Sequence, residues 1–239
     1  MLTSSYNLAF VDNHTLFRKT LKNYLSEQKA INVAIQASDM SDLFNQWNGC
    51  HIDILLIDPF MPGLSGQDAI VKVKKERPNL KILVLSGSKD LDFICDLLDF
   101  GIHGYISKSD EPEELLQAIR AVSENQICRS YLFTEALYRN RQNNDSTRST
   151  EFRNLLSERE KRILQLLWEE KSNKEIADEL FLGIRTVERI RQDIKEKLGV
   201  DSTIGMIKFG LESKIIVLTT RQFQAYQSVP SIAGYSGTS

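Results

Sequence analysis

Three cysteines and three histidines are all that these 239 residues offer of the side chains that most often hold transition metals. Cys50, Cys95 and Cys128 are odd in number and lack metal-type spacing. They read as reduced, mostly buried thiols of a cytosolic protein, not as a disulfide framework or a zinc site. His14, His51 and His103 are scattered and suggest no ligand set. No run approaches the ~18 apolar residues of a membrane helix. The opening "MLTSSYNLAFVD" lacks a basic start followed by a long apolar segment, so no signal peptide is expected. The net charge of −2 does not, as a sum, point to nucleic acid.

The average hides an asymmetry. Residues 1–125 hold 12 Lys and Arg against 17 Asp and Glu, a net of −5. Residues 126–150 come to +2 (4 against 2) and residues 151–239 to +1 (14 against 13). At roughly 150 residues per domain, the length allows two domains. With 41% hydrophobic residues each can have its own core.

The first 125 residues alternate between two periodicities. "YNLAFVD", "NVAIQAS", "DILLID", "KILVLSG" and "HGYISKS" read as strands. Between and after them, "TLFRKTLKNYLSEQ", "MSDLFNQWNG", "GQDAIVKVKKER", "DLDFICDLLDFG" and "EPEELLQAIRAVSEN" carry helical spacing, with Gly or Pro at several boundaries. "DILLID" is apolar on both faces, as a central parallel strand should be. Five β-α units imply a parallel sheet with helices on both faces. Residues 126–150 read as a linker, because "RQNNDSTRST" has no large apolar side chain. Residues 151–218 show only helical patterns. Residues 219–239 are Ser-, Gln- and Gly-rich and read as a flexible tail.

In an open α/β sheet, ligands bind beyond the carboxyl ends of the strands. Four of the five strands deliver a polar side chain there: Asp12 with Asn13, Asp58, Ser86 and Lys108. Taken singly, each is equally a cap or a solvated loop residue. Together they suit phosphoryl transfer onto a carboxylate. Asp58 would be the nucleophile. Asp12, Asn13, Asp58 and the Phe60 carbonyl would supply oxygen ligands to Mg²⁺. Lys108 and Ser86 would bind the phosphoryl oxygens.

The segments "FVDNHTLFR", "LLIDPFMPGLSG", "ILVLSGS" and "GYISKSDEPEELLQAI", in that order, resemble the receiver domain of two-component response regulators. The resemblance implies a flavodoxin-like, doubly wound five-stranded fold, Asp58 as phosphoacceptor from a sensor histidine kinase, Mg²⁺ as cofactor, Ser86 as switch hydroxyl and Tyr105 as switch aromatic. One departure stands out. The family usually has two acids where this chain has Asp12-Asn13, so weaker Mg²⁺ binding is expected. A receiver that serves as an unphosphorylated docking or dimerisation module is the alternative. A phosphohydrolase is disfavoured, since Phe60 stands where such enzymes need a second acid.

Further on, "LSERE", "SNKEIADEL", "RTVERIR" and "KLGV", within residues 156–200, resemble the LuxR-type helix-turn-helix domain, with "STIGMIKFGLES" at the place of its fourth helix. The two halves together resemble the NarL/FixJ group of regulators, which implies a cytoplasmic, dimeric, non-enzymatic protein that binds double-stranded DNA. The residues agree in part. Val187, Ile190, Ile194 and Leu198 form one apolar stripe, with Arg185, Arg189, Arg191, Gln192 and Lys195 off it. An ordinary amphipathic helix would read the same way. By position in the family's recognition helix, Glu188, Arg189 and Gln192 are candidates for base edges. Asn173, Lys174, Arg185, Thr186 and Lys195 are candidates for phosphate contacts. Gly183 stands at a usual Ser or Thr, and Ile190 at a frequent His. The unphosphorylated receiver is expected to cover or misorient the DNA helix. The apolar positions of the last helix, Ile204, Ile207, Phe209 and Leu211, are expected to be partly core and, by the resemblance, partly a dimer contact.

Overall fold

The apolar run at residues 54–57 decides the architecture. Ile54, Leu55, Leu56 and Ile57 are each at most 1% exposed, which a strand achieves only with a layer packed on each face. The computed structural model describes residues 5–217 apart from Pro62, Arg129 and residues 144–154. Five strands, β1 (Tyr6–Val11), β2 (Ile31–Ala37), β3 (Ile54–Ile57), β4 (Lys81–Ser86) and β5 (Gly104–Ser107), form one sheet in the order β2-β1-β3-β4-β5. Every pairing is parallel. Helices α1 (Thr15–Ser26), α2 (Met40–Gln46), α3 (Gly66–Glu76), α4 (Leu91–Asp99) and α5 (Pro112–Ser123) follow the strands in turn.

Alternation along each strand divides the core. Leu8, Phe10, Ile54, Leu56, Leu83 and Leu85 pack with Leu21 and Leu25 of α1 and Leu115, Ile119 and Val122 of α5. Ala9, Val11, Leu55, Ile57, Ile82 and Val84 face the other way, onto Leu43 of α2, Ile70 and Val73 of α3, and Ile94 and Leu97 of α4. Each such fully buried aliphatic side chain contributes about 1.5–3 kcal/mol. The strand order reverses between β1 and β3, so the carboxyl ends of these two strands frame the crevice. Gly66 opens α3 against the loop after β3. A Cβ there would lie 2.4 Å from the Pro59 Cβ, so only glycine allows this close approach.

The segment read as a linker begins with a helix, α6 (Tyr131–Asn143). Phe133, Ala136 and Leu137 recur at helical spacing and are buried. The all-polar stretch after them had drawn attention away from this stripe. Ser130 caps α6 by accepting the Phe133 N–H at 3.3 Å, and its hydroxyl also donates to the backbone carbonyl of Tyr105 in β5. Along α4, the Cys95 thiol donates to the Ala136 carbonyl at 3.2 Å, and Arg139 pairs with Asp92 at 3.1 Å.

The remaining helices are α7 (Glu158–Trp168), α8 (Asn173–Glu179), α9 (Ile184–Leu198) and α10 (Thr203–Glu212). Ser157 with Glu160, and Ser172 with Glu175, form reciprocal capping boxes that start α7 and α8. Gly199, at φ 65°, ends α9 in the left-handed conformation glycine favours. Trp168 is fully buried beneath Tyr138 of α6, ring edge to face at 5.9 Å. Through α6 the helical core and one face of the sheet form a single apolar cluster. Beyond α10, Ile216 is fully buried, so "KIIVL" docks in part. The tail read at residues 219–239 lies outside the described residues.

Candidate functional site

Backbone pairing brings two acids together. Asp12 follows β1 and Asp58 follows β3, and the Asp58 N–H donates to the Val11 carbonyl at 3.0 Å. Both aspartates are only 3% exposed. Two carboxylates cannot be buried side by side without a counter-charge. Lys108, just past β5, supplies it: its Nζ lies 2.6 Å from Asp12 Oδ2 and 2.6 Å from Asp58 Oδ2. The lysine arrives there because its own N–H donates to the Ser86 carbonyl at 2.8 Å, continuing the β4–β5 pairing. Its ammonium also sits 4.8 Å over the Phe17 ring.

Local turns fix the carboxylates. The His14 N–H donates to Asp12 Oδ1 at 2.7 Å, and the Phe60 N–H donates to Asp58 Oδ1 at 3.0 Å. Arg18 donates to the Asp12 carbonyl at 2.6 Å. His14, read from the sequence as belonging to no ligand set, lies beside both acids. Its Nδ1 is 3.2 Å from Asp12 and 3.9 Å from Asp58, in a group of three whose ligand atoms lie within 4.8 Å of one another. The signal was its place two residues beyond Asp12, in the same loop. Asn13 is exposed and lines an open pocket with Pro59, Phe60 and Phe93. The Phe60 ring stacks on Phe93 at 4.9 Å.

Ser86 is fully buried, and its hydroxyl accepts the Ser88 N–H at 3.2 Å. Tyr105 is also fully buried and donates to the Ser88 carbonyl at 2.7 Å. Burial pushes its phenol above the ordinary tyrosine range. Ser86 and Tyr105 thus meet in one β4–α4 loop, and Tyr105 in turn holds the start of α6 through Ser130.

A second constellation lies in the helical half. Helix α8, a tight turn and α9 make a helix-turn-helix. Glu188, Arg189 and Gln192 project from α9 as exposed residues, as do Arg185 at its start and Lys174 in α8. Thr186, Asn173 and Lys195 are partly buried.

Comparison with known proteins bears on both constellations. Residues 8–120 match the family model described as response regulator receiver domain, and residues 154–209 the model described as bacterial regulatory proteins, luxR family. The oxygen regulatory protein NreC of Staphylococcus aureus is 32% identical over 213 residues, which cover 87% of this chain and 98% of that protein. The chain belongs to the response regulators. It joins a receiver to a LuxR-type DNA-binding domain. The fold agrees with solved RcsB structures. One with two RcsB dimers on two parallel DNAs matches at TM-score 0.55 and 23% identity, covering 87% of this chain and 99% of that one. RcsB of Salmonella enterica serovar Typhimurium, bound to promoter P1flhDC with phosphomimetic BeF3−, matches at TM-score 0.55 and 24% identity over 88% and 100%.

In this response regulator the two halves touch through α9, the second helix of the helix-turn-helix. Arg191, read from the sequence as a residue off the apolar stripe, is 5% exposed. It donates to the Asn125 carbonyl of the receiver at 2.6 Å, to Thr203 Oγ1 at 2.9 Å and to the Asn173 side chain. Burial lowers its pKa to about 10, so it stays cationic. Burial, and Arg191 nearby, also lower that of Lys195. Lys208 pairs with Asp99 of α4. Ile204, Ile207 and Leu211 are buried inside the chain's own core, as the core part of their reading expects.

Proposed function

We propose that this chain is a transcription regulator switched by phosphorylation of Asp58, with a sensor histidine kinase as donor. The observation that carries the reading is the shared salt bridge of Lys108 with Asp12 and Asp58 at the crevice rim. An Asp58 oxygen attacks phosphorus, the donor's P–N bond breaks and a P–O bond forms. Lys108 then exchanges its carboxylate partners for phosphoryl oxygens. Ser86 turns its hydroxyl from Ser88 toward them. The donor set fits a hard cation, since two buried carboxylates converge there and Asn13 and Phe60 line a pocket together. Mg²⁺ held by Asp12, Asp58, Asn13 and the Phe60 carbonyl would offset charge between nucleophile and phosphate.

The new phosphoryl group adds about −1.5 to −2 charges. It favours a form in which the β4–α4 loop, Tyr105 and α6 shift and α9 parts from Asn125. The freed domain places α9 in the major groove of double-stranded DNA. Glu188, Arg189 and Gln192 read base edges, while Asn173, Lys174, Arg185, Thr186 and Lys195 hold phosphates. Two copies read two half-sites as a homodimer. Among the described residues no helix is long and apolar enough to cross a membrane, which supports a cytoplasmic regulator.

A phosphodonor assay with Mg²⁺ on wild type and Asp58→Ala tests this. Label on wild type alone, with tighter DNA binding, is the expected result. No label from any donor, with DNA binding intact, favours a receiver that works as a docking module. The amide of Asn13 in place of a carboxylate is the observation behind that second reading.

A further inference from the structure

The turn between α8 and α9 carries a side chain that its own fold disfavours. Helix α8 ends with the Leu182 N–H donating to the Ala177 carbonyl at 2.8 Å and the Phe181 N–H to the Asp178 carbonyl at 3.4 Å. This pattern requires a left-handed residue just past the helix, a place where glycine is favoured. Here it is Phe181, at φ 55°. A bulky aromatic in this conformation is an outlier. Packing does not compensate for it. Phe181 is 95% exposed, the most exposed large apolar side chain among the described residues. Its neighbours Leu180 and Leu182 pack onto the core, so the turn is anchored and only the ring stands clear. Ile184, the first residue of α9, is 46% exposed beside it.

Strained backbone kept without an internal benefit points to a role in binding. The surroundings indicate the partner. Arg185, Arg189 and Lys174 are exposed on the same helix-turn-helix, and such cations suit a polyanion. Arg191 is engaged with Asn173 and with Asn125 of the receiver, whereas Phe181 and Ile184 are exposed outside that contact. We propose that Phe181 and Ile184 are an apolar DNA contact. They would pack on the carbon atoms that duplex DNA offers at the rim of the major groove, the thymine methyls and the deoxyribose rings. This rests on the DNA-binding reading given above.

The test uses the full chain with Mg²⁺ and a small phosphodonor. Wild type first selects its preferred duplex from a random pool. Phe181→Gly and Phe181→Asn both accept the left-handed backbone, so both should fold with an unchanged or higher melting temperature. Their affinity for the selected duplex should fall about five- to tenfold, and Phe181→Tyr should retain it. Uracil in place of thymine assigns the contact. If uracil removes the gap between wild type and Phe181→Gly, the partner is the methyl group; if the gap persists, it is the sugar. Wild-type affinity in both the Gly and Asn variants would overturn the proposal, including the case in which the ring serves a protein partner. Failure of wild type to select any duplex would instead overturn the DNA-binding reading, and this inference with it.

Discussion

The guanidinium of Arg191 reaches from the middle of α9 to the backbone carbonyl of Asn125, 2.6 Å away and 66 residues back in the chain. Asn125 itself sits at φ 58° just past α5, which turns that carbonyl outward. One buried cation therefore joins the end of the receiver to the helix proposed to read DNA. Replacing Arg191 with Leu keeps apolar volume and removes every donor. The contact of α9 with the receiver should then loosen, against the apolar packing through α6 that remains, seen as a modestly larger radius of gyration by small-angle X-ray scattering. A scattering profile identical to wild type would show that this bond does not hold the halves together.

Lys108 pairs with two carboxylates at once. Lys108→Met leaves both buried without that counter-charge, a loss of about 3 kcal/mol by analogy with broken buried ion pairs. Thermal melting without divalent cations should show it. Added Mg²⁺ should restore more stability to the variant than to wild type, because a cation can replace the missing ammonium. Equal Mg²⁺ responses would argue against a shared cation site at Asp12 and Asp58.

Asn13 brings an oxygen but no charge to the crevice. Asn13→Asp should bind Mg²⁺ roughly tenfold more tightly, because affinity for hard cations rises with ligand charge. Calorimetric titration of the two proteins measures it directly. Since Asn13 is exposed, salt should narrow the difference.

His103 accepts the Ile82 N–H on its Nδ1 at 3.1 Å. Burial first, then Lys74 of α3, Lys195 of α9 and Lys81 of β4, hold its pKa well below the ordinary histidine value. The unfolded chain therefore binds this proton more readily than the folded one. Stability should fall as pH drops below about 6.5, with a slope of at most about 1.4 kcal/mol per pH unit for one proton. Above that range the histidine is neutral in both states and contributes no slope. His103→Gln should flatten this part of the profile when melting is followed from pH 7.5 to 5.5. A profile parallel to wild type would remove His103 as the cause.

The sheet was legible because its strands are short apolar runs ending in polar residues; the order that sets β1 beside β3 came only with the resemblance to receiver domains, since β-α alternation allows more than one strand order. The convergence of Asp12, Asp58 and Lys108 was legible for the same reason, since parallel strands put their carboxyl ends on one edge. His14 lies two residues beyond Asp12, which spacing does show, but its approach to Asp58 of a second strand is a proximity that spacing along the chain does not encode. Arg191 lies off the apolar stripe as read, but its burial was not legible because a helical wheel sees only one helix. Asn125 and Thr203 bury it from a different wheel position than the apolar stripe. Helix α6 was hidden by averaging: three buried apolar positions were diluted by the polar residues that follow them.

The seating of α6 also bears on how this protein can be divided. The hydroxyl of Ser130 on Tyr105 and the thiol of Cys95 on Ala136 make this helix a lid on the receiver's own α4 and β5. A fragment cut after residue 125 would leave Cys95 and the Tyr105 carbonyl uncovered, and its solubility and self-association would then reflect the cut rather than the phosphoryl switch. A fragment carried through residue 143 keeps that surface dressed, and is the piece on which aspartyl-phosphate lifetimes should be measured.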